Sequence, residues 1–247
     1  MKYKIPKTFM GKPVAGSLER VLAGLNGNTN NPQTQPPQTT PSVNAPNISG
    51  YVFVPSTGLY MAKQRTHGGL DWYKTHEALQ SEGLKMPTIY EFRQFLKYLK
   101  ENPNGVNGVS STEVESILDD ILTVRDPWRA EWLNAKFEET NGEMNVHYLI
   151  NSNGSLVDKT EVLEDCLMKD KTPGINLDYW INTPGKQNLP LKKNPKGKLY
   201  YWFPRDGRVA WFVASSDWAL LYCDWNPTDV YSSLGVFACA EGAPPKI

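Results

Sequence analysis

What this chain lacks narrows its function first. Among 247 residues there are only three cysteines, Cys166, Cys223 and Cys239, too few and too scattered for a disulfide framework or a zinc site. A Cys223–Cys239 bridge and a pair of reduced, buried thiols both stay open. The three histidines, His67, His76 and His147, are equally dispersed and read as surface or satisfied side chains, so no metal and no cofactor is expected. Lys plus Arg balances Asp plus Glu at 26 each. Without a basic excess there is no general means of releasing counterions from a nucleic acid. No apolar run approaches the roughly 18–20 residues of a membrane span. Met1–Gly16 has basic residues but no apolar stretch, so an ordinary signal peptide is not expected.

Charge is also missing locally, and in two places. Between Arg20 and Lys63 there is none at all. Ahead of that gap Ser17–Leu25 reads as a short helix, with Leu18, Val21, Leu22 and Leu25 on one face. Residues 26–50, rich in Asn, Gln, Thr and Pro, cannot bury enough apolar area to offset chain entropy and read as a linker. A folded domain is expected over 51–247.

That domain mixes strand and helix signals, an α+β pattern. Tyr51–Val54 and Gly58–Ala62 read as strands around a Pro55–Gly58 turn. Leu70–Leu79 reads as a helix stopped by Gly83, and Thr88 with Glu91 forms a capping box opening a helix to Leu99. Residues 112–125 read as a third helix. A hairpin is expected about Asn141-Gly142, with strands 132–137 and 144–150. Asp158–Met168 reads as one more short helix, 173–198 as loop, and Leu199–Phe203 as a strand.

The second gap in charge is the more informative. From Trp211 to Phe237 there is no Lys or Arg, while seven aromatics and the acids Asp217, Asp224 and Asp229 crowd together. Tyr, Trp, Ser and Asn on a rigid support give contact area at low entropic cost, which is the chemistry of a binding surface. Strand alternation over 208–213 and 218–224 separates an inner row (Phe212, Ala214, Ala219, Leu221, Cys223) from an outer one. The candidate ligand contacts are Trp211, Val213, Asp217, Trp218, Leu220, Tyr222, Asp224, Trp225, Asn226, Asp229, Val230, Tyr231, Ser233 and Phe237. The competing reading makes Trp211, Trp218 and Trp225 core residues. Against it stands the cost of burying adjacent carboxylates with no cation in the segment.

The pattern RVAWF-A-S-D-A-L-C-P-SLGV resembles the C-terminal variable region of diversity-generating retroelement target proteins. Leu199–Arg205, Lys171–Trp180 and Arg125–Leu133 resemble archaeal members of that group. Met86–Phe92 (MPTIYEF) resembles the Leu-Pro-Thr-x-x-Glu-Trp helix start of the formylglycine-generating branch of the C-type lectin fold. Ser233–Phe237 resembles that branch's terminal Leu-Gly-Phe-Arg strand. The resemblance spans about Tyr51–Glu241 and implies a C-type lectin fold with a mixed, mainly antiparallel sheet, two main helices and inserted loops. It further implies a non-enzymatic receptor whose segment 208–241 is varied by adenine-directed mutagenesis to bind different ligands, proteins foremost. Two other readings accompany it: a formylglycine-generating-type enzyme, which needs a close reactive cysteine pair, and a calcium-dependent sugar binder, which needs convergent carboxylates.

Overall fold

The computed structural model describes residues 8–9, 12–13, 48–152, 154–168 and 172–242. The chain divides into two compact units, Met1–Ser42 and Val43–Ile247. In the first, β1 (Thr8–Phe9) pairs antiparallel with β2 (Lys12–Pro13). The helix expected over 17–25, and the linker expected over 26–50 up to residue 47, lie outside the described residues.

The second unit opens with β3 (Tyr51–Val54) and β4 (Leu59–Ala62), joined by the expected turn. Helix α1 (Trp72–Ser81) starts where the Asp71 side chain accepts a hydrogen bond from Lys74 N, and Gly83 follows it at φ +70°. Helix α2 (Ile89–Glu101) carries the Thr88/Glu91 capping box that the sequence predicts. Two short strands, β5 (Gly105–Val106) and β6 (Val109–Ser110), lead into α3 (Ser111–Leu122). A second capping box, Ser110 with Glu113, fixes the start of α3. Next come β7 (Arg129–Thr140) and β8 (Glu143–Ser152), turned at Asn141-Gly142 with both φ values positive. That is the dipeptide and the backbone hand a two-residue hairpin requires.

The expected helix over 158–168 does not form. Residues Ser155–Val162 are β9, paired along their whole length with β8 after a turn at Gly154 (φ +82°). Val157, Thr160 and Val162 are β-branched, and an adjacent strand edge outweighs a weak helical period. The stretch expected as loop holds β10 (Thr172–Ile175) and α4 (Leu177–Asn182), the latter capped by Asn176 and burying Trp180 and Ile181. The chain ends through β11 (Leu199–Trp202), β12 (Arg208–Ala214), β13 (Ala219–Trp225), β14 (Leu234–Gly235) and β15 (Cys239–Glu241).

The large sheet runs β10-β11-β13-β12-β7-β8-β9, with β14 also on β7, and a smaller one runs β15-β4-β3. Only β11–β13 and β14–β7 are parallel in these two sheets; the other pairings are antiparallel. The fold is therefore mixed α+β and mainly antiparallel. Each face of the large sheet carries its own core. On the inner face Phe92, Phe95 and Leu96 of α2 pack with Leu133, Phe137, Phe212 and Leu221. On the outer face Trp72 and Leu79 of α1 pack with Trp132, Trp211, Val213 and Leu220.

Candidate ligand-binding surface

Strands β12 and β13 form the middle of the sheet, and their register sets out the terminal segment. Phe212 lies opposite Leu221 and Ala214 opposite Ala219, while Trp211 lies opposite Tyr222 and Val213 opposite Leu220. The first set joins the inner core, where the Phe92 and Phe212 rings are 5.3 Å apart. The second set belongs to the outer face. Between Val209 and Trp211 the register slips, so that Val209 pairs with Trp225. Strict alternation would send Tyr222 and Trp225 to opposite faces. The bulge brings both to the outer one, where Trp225 stacks on Trp211 at 3.9 Å and 18°.

The sequence assigned outward facing too broadly. Trp211, Val213 and Leu220 lie on the outer face but are only 4–5% exposed, because Trp72, Leu79, Leu234 and Val236 pack on that face with them. Phe237 is wholly buried on the other side, 6.1 Å from the Phe95 ring and beneath the Arg65 guanidinium. These four are scaffold. The competing core reading is thus correct for Trp211.

What remains open forms a graded rim. Asp217, Val230 and Tyr231 are exposed; Trp218, Tyr222, Asp224, Trp225, Asn226, Asp229 and Ser233 are half-buried. Their rings are in continuous contact with the base. Tyr231 meets Trp128 at 5.4 Å and Trp225 at 6.3 Å, and Tyr222 meets Trp225 at 5.6 Å. The indole N–H groups of Trp211 and Trp225 are buried without a hydrogen-bond partner. Such donors ordinarily find one, so their cost is carried by the stacking around them.

Three rings of this surface come from outside the segment. Trp202 stacks on Tyr222 at 5.2 Å, Tyr200 lies 5.0 Å from Trp218, and Trp128 lies 5.6 Å from Trp211. The signal was present in Leu199-Tyr-Tyr-Trp: Leu199 and Tyr201 turn inward, so Tyr200 and Trp202 must turn outward. Trp128 is half-buried at the rim.

The acids are not as isolated as the sequence suggested. Asp224 lies 3.5 Å from both Arg205 Nε and Arg208 Nε, cations placed just ahead of the aromatic run. Burial, and then Asp224, raise the Tyr222 phenol above its usual range, with the two arginines opposing. Asn226 donates to Asp229 Oδ1 at 3.1 Å and accepts from the Thr228 amide and hydroxyl.

The loop beyond β13 is held by its main chain. Trp72 N donates to Pro227 O, Gly69 N to Tyr231 O, and Ala130 N to Ser233 O, all at 3.0–3.1 Å. A Cβ at Gly68 would sit 3.0 Å from Ser232 O, so a small residue is needed where the two loops meet. No protein-family model, curated protein or solved structure matches this chain. Among the described residues no His, Cys, Asp and Glu side chains gather as a group able to hold a metal ion. Cys223 and Cys239 are free, buried thiols on β13 and β15, and burial pushes both well above the ordinary thiol range. A thiol held in that form is a poor nucleophile.

Proposed function

We propose that the chain is a non-enzymatic ligand-binding protein, built on the C-type lectin fold of the retroelement target proteins its sequence resembles. Its ligands are proteins, contacted by the outer rim of β12, β13 and the loop 226–233. One observation carries this reading: the half-buried rings of Trp218, Tyr222 and Trp225, on or just before β13, and the exposed ring of Tyr231, on a loop anchored by its main chain, sit over or beside a packed aromatic base. Aromatic anchors on a rigid support are what concentrate binding energy at protein interfaces. Main-chain anchoring leaves exposed side chains such as Val230 and Tyr231 free to be exchanged at little cost to the fold.

The formylglycine-type reading draws no support from two buried thiols on strands of different sheets. Sequencing around the gene tests the retroelement part of the proposal. A near-copy of codons 208–241, differing only at adenines and lying beside a reverse transcriptase gene, is the expected result. An isolated gene with no such repeat removes the diversification reading.

A further inference from the structure

We infer that Tyr200, Trp202 and Trp128 are constant contact residues that frame the exchangeable rim, so that every ligand of this surface touches the same flanking rings. The inference rests on the proposed function and on strand order. Across the sheet the order is β11-β13-β12-β7, so the two strands of the terminal segment lie between two strands that do not belong to it. Tyr200 and Trp202 stand on β11, and Trp128 immediately precedes β7. All three are half-buried and each contacts an outer-face ring: Tyr200 with Trp218, Trp202 with Tyr222, Trp128 with both Trp211 and Tyr231.

Their chemistry suits a contact shared by unlike ligands. An aromatic face accepts apolar, planar and cationic groups without demanding a particular hydrogen-bond pattern. A stacked ring also loses little rotamer freedom when it is covered, so its contribution is not offset by ordering. The frame therefore fits protein partners that present an apolar or cationic side chain at each flank of the rim, while the loop between the flanks supplies discrimination.

The test displays the full chain with Asp217, Thr228, Val230, Tyr231 and Ser232 randomised, and selects binders against lysozyme, ubiquitin and serum albumin in parallel. Trp202→Ala and Trp128→Ala are then made in each selected binder. The expected result is a loss of affinity of about tenfold or more in binders to all of the probes, ~1.4 kcal/mol or more. Tyr200→Cys, labelled with a photo-crosslinker at the new thiol, should couple to each bound probe. A merely structural role would not produce that readout. Binders whose affinity and crosslinking ignore these positions overturn the frame while leaving the binding function intact. A library that yields no binders to any probe overturns the proposed function and the frame with it.

Discussion

The two faces of β12 and β13 are made by alternate residues of the same strands, yet they are different materials. The inner row, Ala210, Phe212, Leu221 and Cys223, is fully buried beneath α2 and α3, carries one aromatic ring and offers no side-chain hydrogen bond. The outer row runs from buried Trp211 and Val213 to half-buried Tyr222 and Trp225, is dominated by aromatics, and ends in an open loop. Burial on both sides would suit a sheet with no function beyond stability. Grading one side from closed to open keeps the strands rigid while leaving a rim of rings available.

Removing the inner row should have the largest effect. Phe212→Ala empties a fully buried site against Phe92, and should cost about 3–5 kcal/mol in denaturant unfolding. Trp211→Ala should cost a similar or slightly smaller amount, because its 4% exposure makes it core despite its outward position. Trp225→Ala should fall between core and rim, at about 1–2 kcal/mol, since it loses the 3.9 Å stack but starts half-exposed. If Trp225→Ala matched Phe212→Ala, the outer face would be a second closed core and the grading would be lost.

Acidity and alkalinity should separate the faces next. Glu131 lies on the inner face of β7, where burial raises its carboxyl to about 8, Arg65 opposes the shift and Asp120 adds to it. Between the ordinary carboxyl range and pH 8 the native state then holds a proton that the unfolded chain has released, so this group makes stability fall as pH rises. His76 of α1, on the outer side against Trp72 at 4.3 Å, is lowered by burial to about 3. Here the unfolded chain binds the extra proton, so stability is lost as pH falls from about 6.5 toward 3. Melting curves should therefore show Glu131→Gln flattening the slope from pH 5 to 8 and His76→Phe flattening it below about pH 6. Either variant flattening the other's limb would refute the assignment.

Much of this architecture was legible in the chain. The Thr88–Glu91 box, the Asn141-Gly142 hairpin and the alternation of β13 are local signals, and each forms as read. The failures are non-local. Residues 158–162 became β9 because β8 offered an edge, which no window of that stretch contains. Phe237 and Trp211 are buried against expectation because exposure depends on what packs above a face, and alternation reports only which face. The bulge that moves Trp225 beside Tyr222 is a property of pairing with Val209. Arg205 and Arg208 neutralise Asp224 from outside the cation-free stretch 211–237.

At the rim the effects on stability should become small. Tyr231 is 41% exposed and its loop is held by main-chain bonds to Gly69 and Ala130, so Tyr231→Ala should cost under about 1 kcal/mol. Trp218→Ala should behave similarly, since its ring rests on Tyr200 at the surface.

Asp224→Asn should be smaller still. Its two arginine contacts are 3.5 Å long with both arginines about 45% exposed, and such pairs contribute roughly 0–1 kcal/mol that salt screens further. The expected result is a change in melting temperature near the error of the measurement, which shrinks again in high salt. A large, salt-insensitive loss would mean that Asp224 holds the β13 bulge in place, making the rim's geometry depend on one side chain. It would then belong with the inner row in function, as scaffold, and the positions free to vary would be confined to the loop beyond Trp225.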